Sequence, residues 1–378
     1  MKRCKQQIIL VIILFLFQSI AINGQQFETK DTVNNKQTYI TARYSYGFTI
    51  PHHVSMLYLL EDFVHGVELN YGVANFSKNH WGSYFNYPEM GIGAMYTTLG
   101  NKEVFGNAYA VYPYVNFHIS RKKRFNASYK VGVGLGYSDT PYDLAENPEN
   151  RVFGSKFNIY VGFGLLTDYK ISNHLSLLGA FTLNHWSNGA VQKPNHGVNV
   201  ASVTAGVKYH LSEEDYPTIE KVRAPKSKKK EFIGVLSMGR SHSHSLYTQK
   251  HWSASLNLNY LWHSSAKRAC GVGADVIYYG DAPYYFDYAS ETDDEFTTAD
   301  FMYGGLLGSY NVFLNRVTMV MQLGVYVFYE TKPDQPLYTR LGLRYNINDR
   351  LLANFSVKAG FFKSEFLEFG LGYRIHSY

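Results

Sequence analysis

Long apolar runs, cysteine and charge are what this 378-residue sequence has least of. After residue 26 no apolar stretch approaches the roughly 20 residues that a transmembrane helix requires, so a chain that enters a membrane must cross it as strands. There are two cysteines, Cys4 and Cys270. Cys4 falls in a basic, apolar leader, which leaves Cys270 alone and excludes an intramolecular disulfide; no lipobox cysteine follows the apolar run. Charged residues make up 17% and the net charge is +6. Loss of residues 1–24 would take Lys2, Arg3 and Lys5 and no acid, lowering it to +3, too little to suggest a nucleic-acid partner. No glycine-rich loop precedes a helix, so no phosphate cradle is expected. The histidines of Ser241-His242-Ser243-His244 and His251 have no acid at a ligand spacing, so they read as a solvated loop rather than a metal site.

What is present is Tyr (33), Phe (25) and Gly (32) in alternation with polar residues. Lys2, Arg3 and Lys5, the run 8–17 and the small residues up to Gly24 read as a secretory signal peptide, residues 1–24. Beyond it, segments of about ten residues with period-two alternation recur, as in Ile40, Ala42, Tyr44, Tyr46 and Phe48 against Thr41, Arg43, Ser45 and Gly47. Strands are expected near 38–49, 65–76, 89–99, 106–119, 124–138, 156–170, 174–187 and 198–211. Eight more follow near 232–241, 252–263, 270–280, 301–314, 316–329, 337–349, 351–363 and 365–376. Short turns such as 120–124 alternate with longer loops such as 138–154, as in outer-membrane barrels; the connector 76–89 is long for an inner turn. A soluble β-sandwich is the weaker alternative.

Residues 212–231, dense in charge, read as a periplasmic linker between a unit at 25–211 and one at 232–378. The two look like copies offset by 176 residues. On that offset His185 becomes Phe361 and Ser187 becomes Lys363, so the second copy is site-less. Both end alike, Thr204-x-Gly206-x-x-Tyr209-x-Leu211 and Glu368-x-Gly370-x-x-Tyr373-x-Ile375, similar to the signal that barrel-assembly machinery reads. The fold class is all-β, an antiparallel outer-membrane barrel protein with two halves of about eight strands. Two barrels are favoured over one of sixteen strands. The acidic loop around Asp293, Asp294 and Glu295 reads as solvated, with binding of divalent ions as the lesser alternative.

One segment carries chemistry. Reading back from Ser187, Leu175, Leu177, Gly179, Phe181 and Leu183 form an apolar period-two face that runs into His185 and Ser187. Forward from Asn199, Ala201, Val203, Ala205, Val207 and Tyr209 do the same. A serine needs a base to take its proton, and the base needs a third group to orient it. His185, Ser187 and Asn199 thus lie at the rim of a greasy outer surface, with Asn188-Gly189 as a tight-turn pair whose amides can face an oxyanion. On spacing alone, Ser187-Asn188-Gly189 as a plain hairpin turn and His185 as an interface histidine is the commoner alternative.

The run His185 to Asn199, with Asn147-Pro148-Glu149-Asn150 and Phe153-Gly154 upstream, resembles the PagL-like lipid A 3-O-deacylases (acyloxyacyl hydrolases) over residues 38–211. The resemblance implies an eight-stranded outer-membrane barrel that removes the ester-linked acyl chain at the 3 position of lipid A, with lipopolysaccharide as its partner. It implies Ser187 as nucleophile, His185 as base, Asn188 and Gly189 near the oxyanion, and no metal or cofactor. Asn199 stands where the family carries glutamate. Asn199 as orienter and substitution by Asp143, Glu146 or Glu149 both remain open. The alternative function is a non-catalytic barrel with a structural or ligand-binding role.

Overall fold

The computed structural model describes residues 36–77, 81–212, 222–242, 249–282, 296–333, 335–360 and 363–377. Eight antiparallel strands close the first barrel: β1 Lys36–Thr49, β2 Val64–Asn75, β3 Glu89–Thr98, β4 Asn107–Arg121, β5 Phe125–Ser138, β6 Phe157–Lys170, β7 Leu175–Ser187 and β8 Val198–His210. Closure is direct, since β1 pairs with both β2 and β8, Ile40 opposite Tyr71 on one side and Tyr209 on the other. The second barrel comprises β9 Lys230–Ser241, β10 His251–Ser265, β11 Arg268–Tyr278, β12 Met302–Leu314, β13 Val317–Tyr329, β14 Leu337–Asn346, β15 Leu351–Gly360 and β16 Lys363–Ser377, closed where β16 meets β9. Every expected strand forms. The halves close separately because each has its own first-to-last pairing, which leaves neither an open edge. No helix among the described residues is long and apolar enough to cross a membrane. The leader 1–24 lies outside the described residues.

Alternation decides which side chains meet lipid. On β7, Leu177, Phe181 and Leu183 are exposed while Ser176, Thr182, Asn184 and Trp186 are buried. The lumens are packed rather than open. In the first, Glu68 accepts from Arg43, Lys130 and Tyr112, and Lys208 Nζ reaches Glu89 Oε1 at 2.6 Å. In the second, Arg340 bridges Asp275 and Glu368 at 2.9 and 2.7 Å. An eight-stranded barrel is just wide enough for side chains to fill, so these inward charges pair with each other.

The connector between β2 and β3, long for an inner turn, holds a 3-10 turn Trp81–Phe85, with Tyr87 packed on Phe76 and Asn86 Nδ2 donating to His118 O at 3.2 Å. Two expectations need correction. Residues 230 and 231 belong to β9, not to the linker, because Glu231 is drawn inside to Arg374 at 3.0 Å and His263 at 3.1 Å. The 176-residue offset fails at the end of β15, which stops at Gly360, paired with Lys363 on β16. Lys363, the match of Ser187, therefore opens the next strand, and at these matched positions the copy has no His-Ser pair. Phe361 and the residues 283–295 lie outside the described residues, as does His244.

Candidate active site at the outer rim

His185 and Ser187 are half-buried on the outward face of the last turn of β7, between apolar neighbours. Strand pairing sets His185 opposite Asn199 on β8 and opposite Val161 on β6, with Ser187 opposite Ile159. Leu183 below and Val203 beyond are exposed, so the pair opens onto the lipid-facing wall. His185 Nδ1 lies 2.8 Å from Asn199 Oδ1. An amide oxygen only accepts, so Nδ1 carries the proton and Nε2 is left as the basic nitrogen. Neither Asp143, Glu146 nor Glu149 takes that place. The Nδ1 partner is Asn199, and Asp143 Oδ1 instead accepts from the Ala145 and Glu146 amides at 2.9 and 3.1 Å.

Between β7 and β8 runs the loop 188–197. Its first turn is tight but displaced by one residue from the expected one: Val191 N donates to Asn188 O at 3.4 Å, and the two central residues, Gly189 and Ala190, have φ of +65° and +66°. Ala190 sits there against the left-handed penalty of about 1 kcal/mol that only glycine escapes. The turn brings Gly189 N to 3.3 Å from Ser187 Oγ. Asn188, by contrast, has its amide taken by Asn195 Oδ1 at 3.1 Å and its side chain by Ser155 Oγ and Gln192 O. It holds the loop, and its amide does not face the serine.

Asn195 was not singled out in the sequence. Its Nδ2 donates to Ser187 Oγ at 2.9 Å. With Gly189 N and Asn195 Nδ2 both donating to Oγ, the serine oxygen is an acceptor twice over, and its own proton is left for a base. An asparagine in a loop carries no periodicity, so strand parity does not reach it. A methyl placed on Gly197, whose φ is +72°, would lie 2.9 Å from His185 Cε1 and 3.4 Å from Ser187 Cβ. Ring and serine thus flank one small gap that glycine keeps open.

The loop between β5 and β6 supports this arrangement. Arg151 O and Val152 O accept from His196 N and Gly197 N at 3.1 Å each. Asn150, fully buried, donates to Val104 O at 2.9 Å and accepts from the Val152 and Phe153 amides. Gly154 lies so close under Gln192 O and Pro194 O that a Cβ would stand 2.4 and 2.5 Å from them. His52, from the loop between β1 and β2, lies 3.0 Å from His196 O through Nε2. No cluster of metal-ligating side chains occurs among the described residues.

A family model described as lipid A 3-O-deacylase (PagL) matches residues 65–208, and one described as acyloxyacyl hydrolase, C-terminal domain, matches residues 230–377. No curated protein matches the chain. Among solved structures, the outer membrane enzyme PagL is similar over 44% of this chain and 97% of its own, at 14% identity and a TM-score of 0.33. Neisserial surface protein A is similar over 46% and 96%, at 11% identity and a TM-score of 0.30. The Acinetobacter baumannii outer membrane protein Omp33 spans 91% and 100%, at 6% identity and a TM-score of 0.19. The two-barrel fold of this chain rests on its own strand pairing.

Proposed function

Because this chain belongs to the lipid A 3-O-deacylase (PagL) family and lies in the outer membrane as two closed barrels, we propose that its first barrel is a serine esterase that removes the 3-position acyl chain of lipid A. The observation that carries the reading is the outward placement of His185, Ser187 and Asn199 on adjacent strands, with two N–H donors on Ser187 Oγ. A lipid in the outer leaflet reaches them laterally without leaving the bilayer.

In this reading Ser187 Oγ attacks the ester carbonyl carbon while its proton passes to His185 Nε2. The tetrahedral oxyanion is met by Gly189 N–H and Asn195 Nδ2. The bond from that carbon to the sugar oxygen breaks as His185 returns the proton to the leaving 3-hydroxyl. Water then gives a proton to His185 and attacks the acyl-serine, releasing the free fatty acid and restoring Ser187. Asn199 keeps the tautomer through its 2.8 Å contact but places no negative charge beside the imidazolium. The exposed row Phe369, Leu371, Tyr373 and Ile375 on β16 fits recognition by barrel-assembly machinery.

Mass spectrometry of lipid A from cells expressing the wild type or Ser187→Ala tests the proposal. Loss of one hydroxyacyl chain only with the serine intact supports it. Identical spectra from two folded proteins overturn it in favour of a non-catalytic barrel.

A further inference from the structure

At the positions matching His185 and Ser187 the second barrel has Phe361 and Lys363, yet it meets the first beside the candidate site. Parity puts Leu367 on the outward face of β16 with Phe369, Leu371, Tyr373 and Ile375. Those four are 55%, 58%, 46% and 54% exposed, whereas Leu367 is 7% exposed. What covers it is the site loop: a Cβ on Gly189 would stand 2.3 Å from Leu367 Cδ2. Two further groups reach the same turn. His242, 4% exposed just past β9, donates its backbone N–H to Ala190 O at 3.1 Å, and its Nδ1 accepts from Lys193 N at 2.9 Å. Lys250 Nζ donates to Gln192 Oε1 at 3.2 Å. At the opposite, inner end, Lys267 between β10 and β11 donates to Tyr84 O at 3.1 Å, so the barrels touch at both rims.

We propose that the second barrel clamps the turn that aims Gly189 N–H at Ser187, making His242, Lys250 and Leu367 positioning residues for the first barrel's esterase. The turn needs an external hold, because Ala190 occupies the left-handed region that favours glycine. The His242 backbone binds the carbonyl of that very residue, its ring holds Lys193 N, and Leu367 packs against Gly189. The proposal rests on the esterase reading for its kinetic consequence but not for the clamp itself.

The full-length chain in lipid A vesicles supplies two readouts, kcat and KM for deacylation and amide exchange along the loop 188–197. His242→Ala with Leu367→Ala is expected to lower kcat about 10- to 100-fold, the usual effect of a small misplacement, with KM nearly unchanged. Exchange at the Lys193 amide accelerates, while that of Gly197, bonded to Val152 O within the first barrel, stays slow. His242→Asn with Leu367→Met restores most of both. Lys250→Met, a rim change outside the strands, gives a smaller change in the same direction and serves if the double variant loses its heat-modifiable electrophoretic mobility. Unchanged exchange with kcat within twofold of wild type in the double variant, or in Lys250→Met where the double variant does not fold, overturns the clamp. A wild type that deacylates nothing overturns the esterase reading alone, and the exchange measurement still decides the clamp.

Discussion

Replacing Asn199 by aspartate isolates what a charge would add to this site. The amide oxygen already accepts from His185 Nδ1 at 2.8 Å, so the ring holds the tautomer that leaves Nε2 as base. The severe penalty that follows when an amide replaces the acid of a serine triad, a ring in the wrong tautomer, therefore does not apply. Only the stabilisation of the imidazolium is missing. Two unit charges about 4 Å apart interact by about 4 kcal/mol at an effective dielectric near 20. Desolvating a new carboxylate at this half-buried rim offsets roughly half of that, leaving about 2 kcal/mol, or roughly 30-fold in kcat. The assay is release of hydroxyacyl chain from lipid A vesicles across a pH series. Asn199→Asp should raise kcat and move the acid limb of the profile to higher pH, because a carboxylate favours the protonated ring. Asn199→Glu, one methylene longer, should also maintain or raise activity, and Asn199→Ala should lower it. An Asn199→Asp protein that is folded, within twofold of wild type and unmoved in its acid limb refutes the role of Asn199.

Two further expectations follow from the geometry. Asn195→Ala removes the 2.9 Å donor to Ser187 Oγ and the acceptor that holds the Asn188 amide; kcat should fall by about 10²- to 10³-fold, as for other oxyanion donors. Asn195→Asp, which keeps the acceptor but not the donor, should be nearly as poor, and kcat within threefold for either variant would count against the assignment. Glu68→Ala leaves Arg43 and Lys130 buried without their shared carboxylate, a loss of about 3–5 kcal/mol. The temperature at which the compact electrophoretic band disappears should drop by roughly 10 °C, and an unchanged transition would show that the lumen charges find other partners.

The site was legible in the sequence as far as strand parity reaches. His185 and Ser187 share a face because side chains alternate with a period of two, and the apolar row below them names that face as the lipid side. Asn199 falls opposite His185 because the two apolar rows leading to it fix where β7 and β8 pair. Loops obey no such period. Asn195, the displaced turn at Gly189 and Ala190, and the retirement of Asn188 to a bracing role depend on hydrogen bonds to Arg151, Val152, Ser155 and His242. Those partners lie tens of residues away.

By itself, then, the sequence determined sixteen strands, their two faces and the outward placement of the His-Ser pair, since each is a local pattern that hydrophobic burial reads directly. That the strands close as two cylinders rather than one, that an asparagine in mid-loop meets the serine, and that Leu367 of the copy covers Gly189 were decided only in three dimensions. The physical reason is that closure and loop conformation depend on pairings between distant residues, whose free energies no local pattern contains.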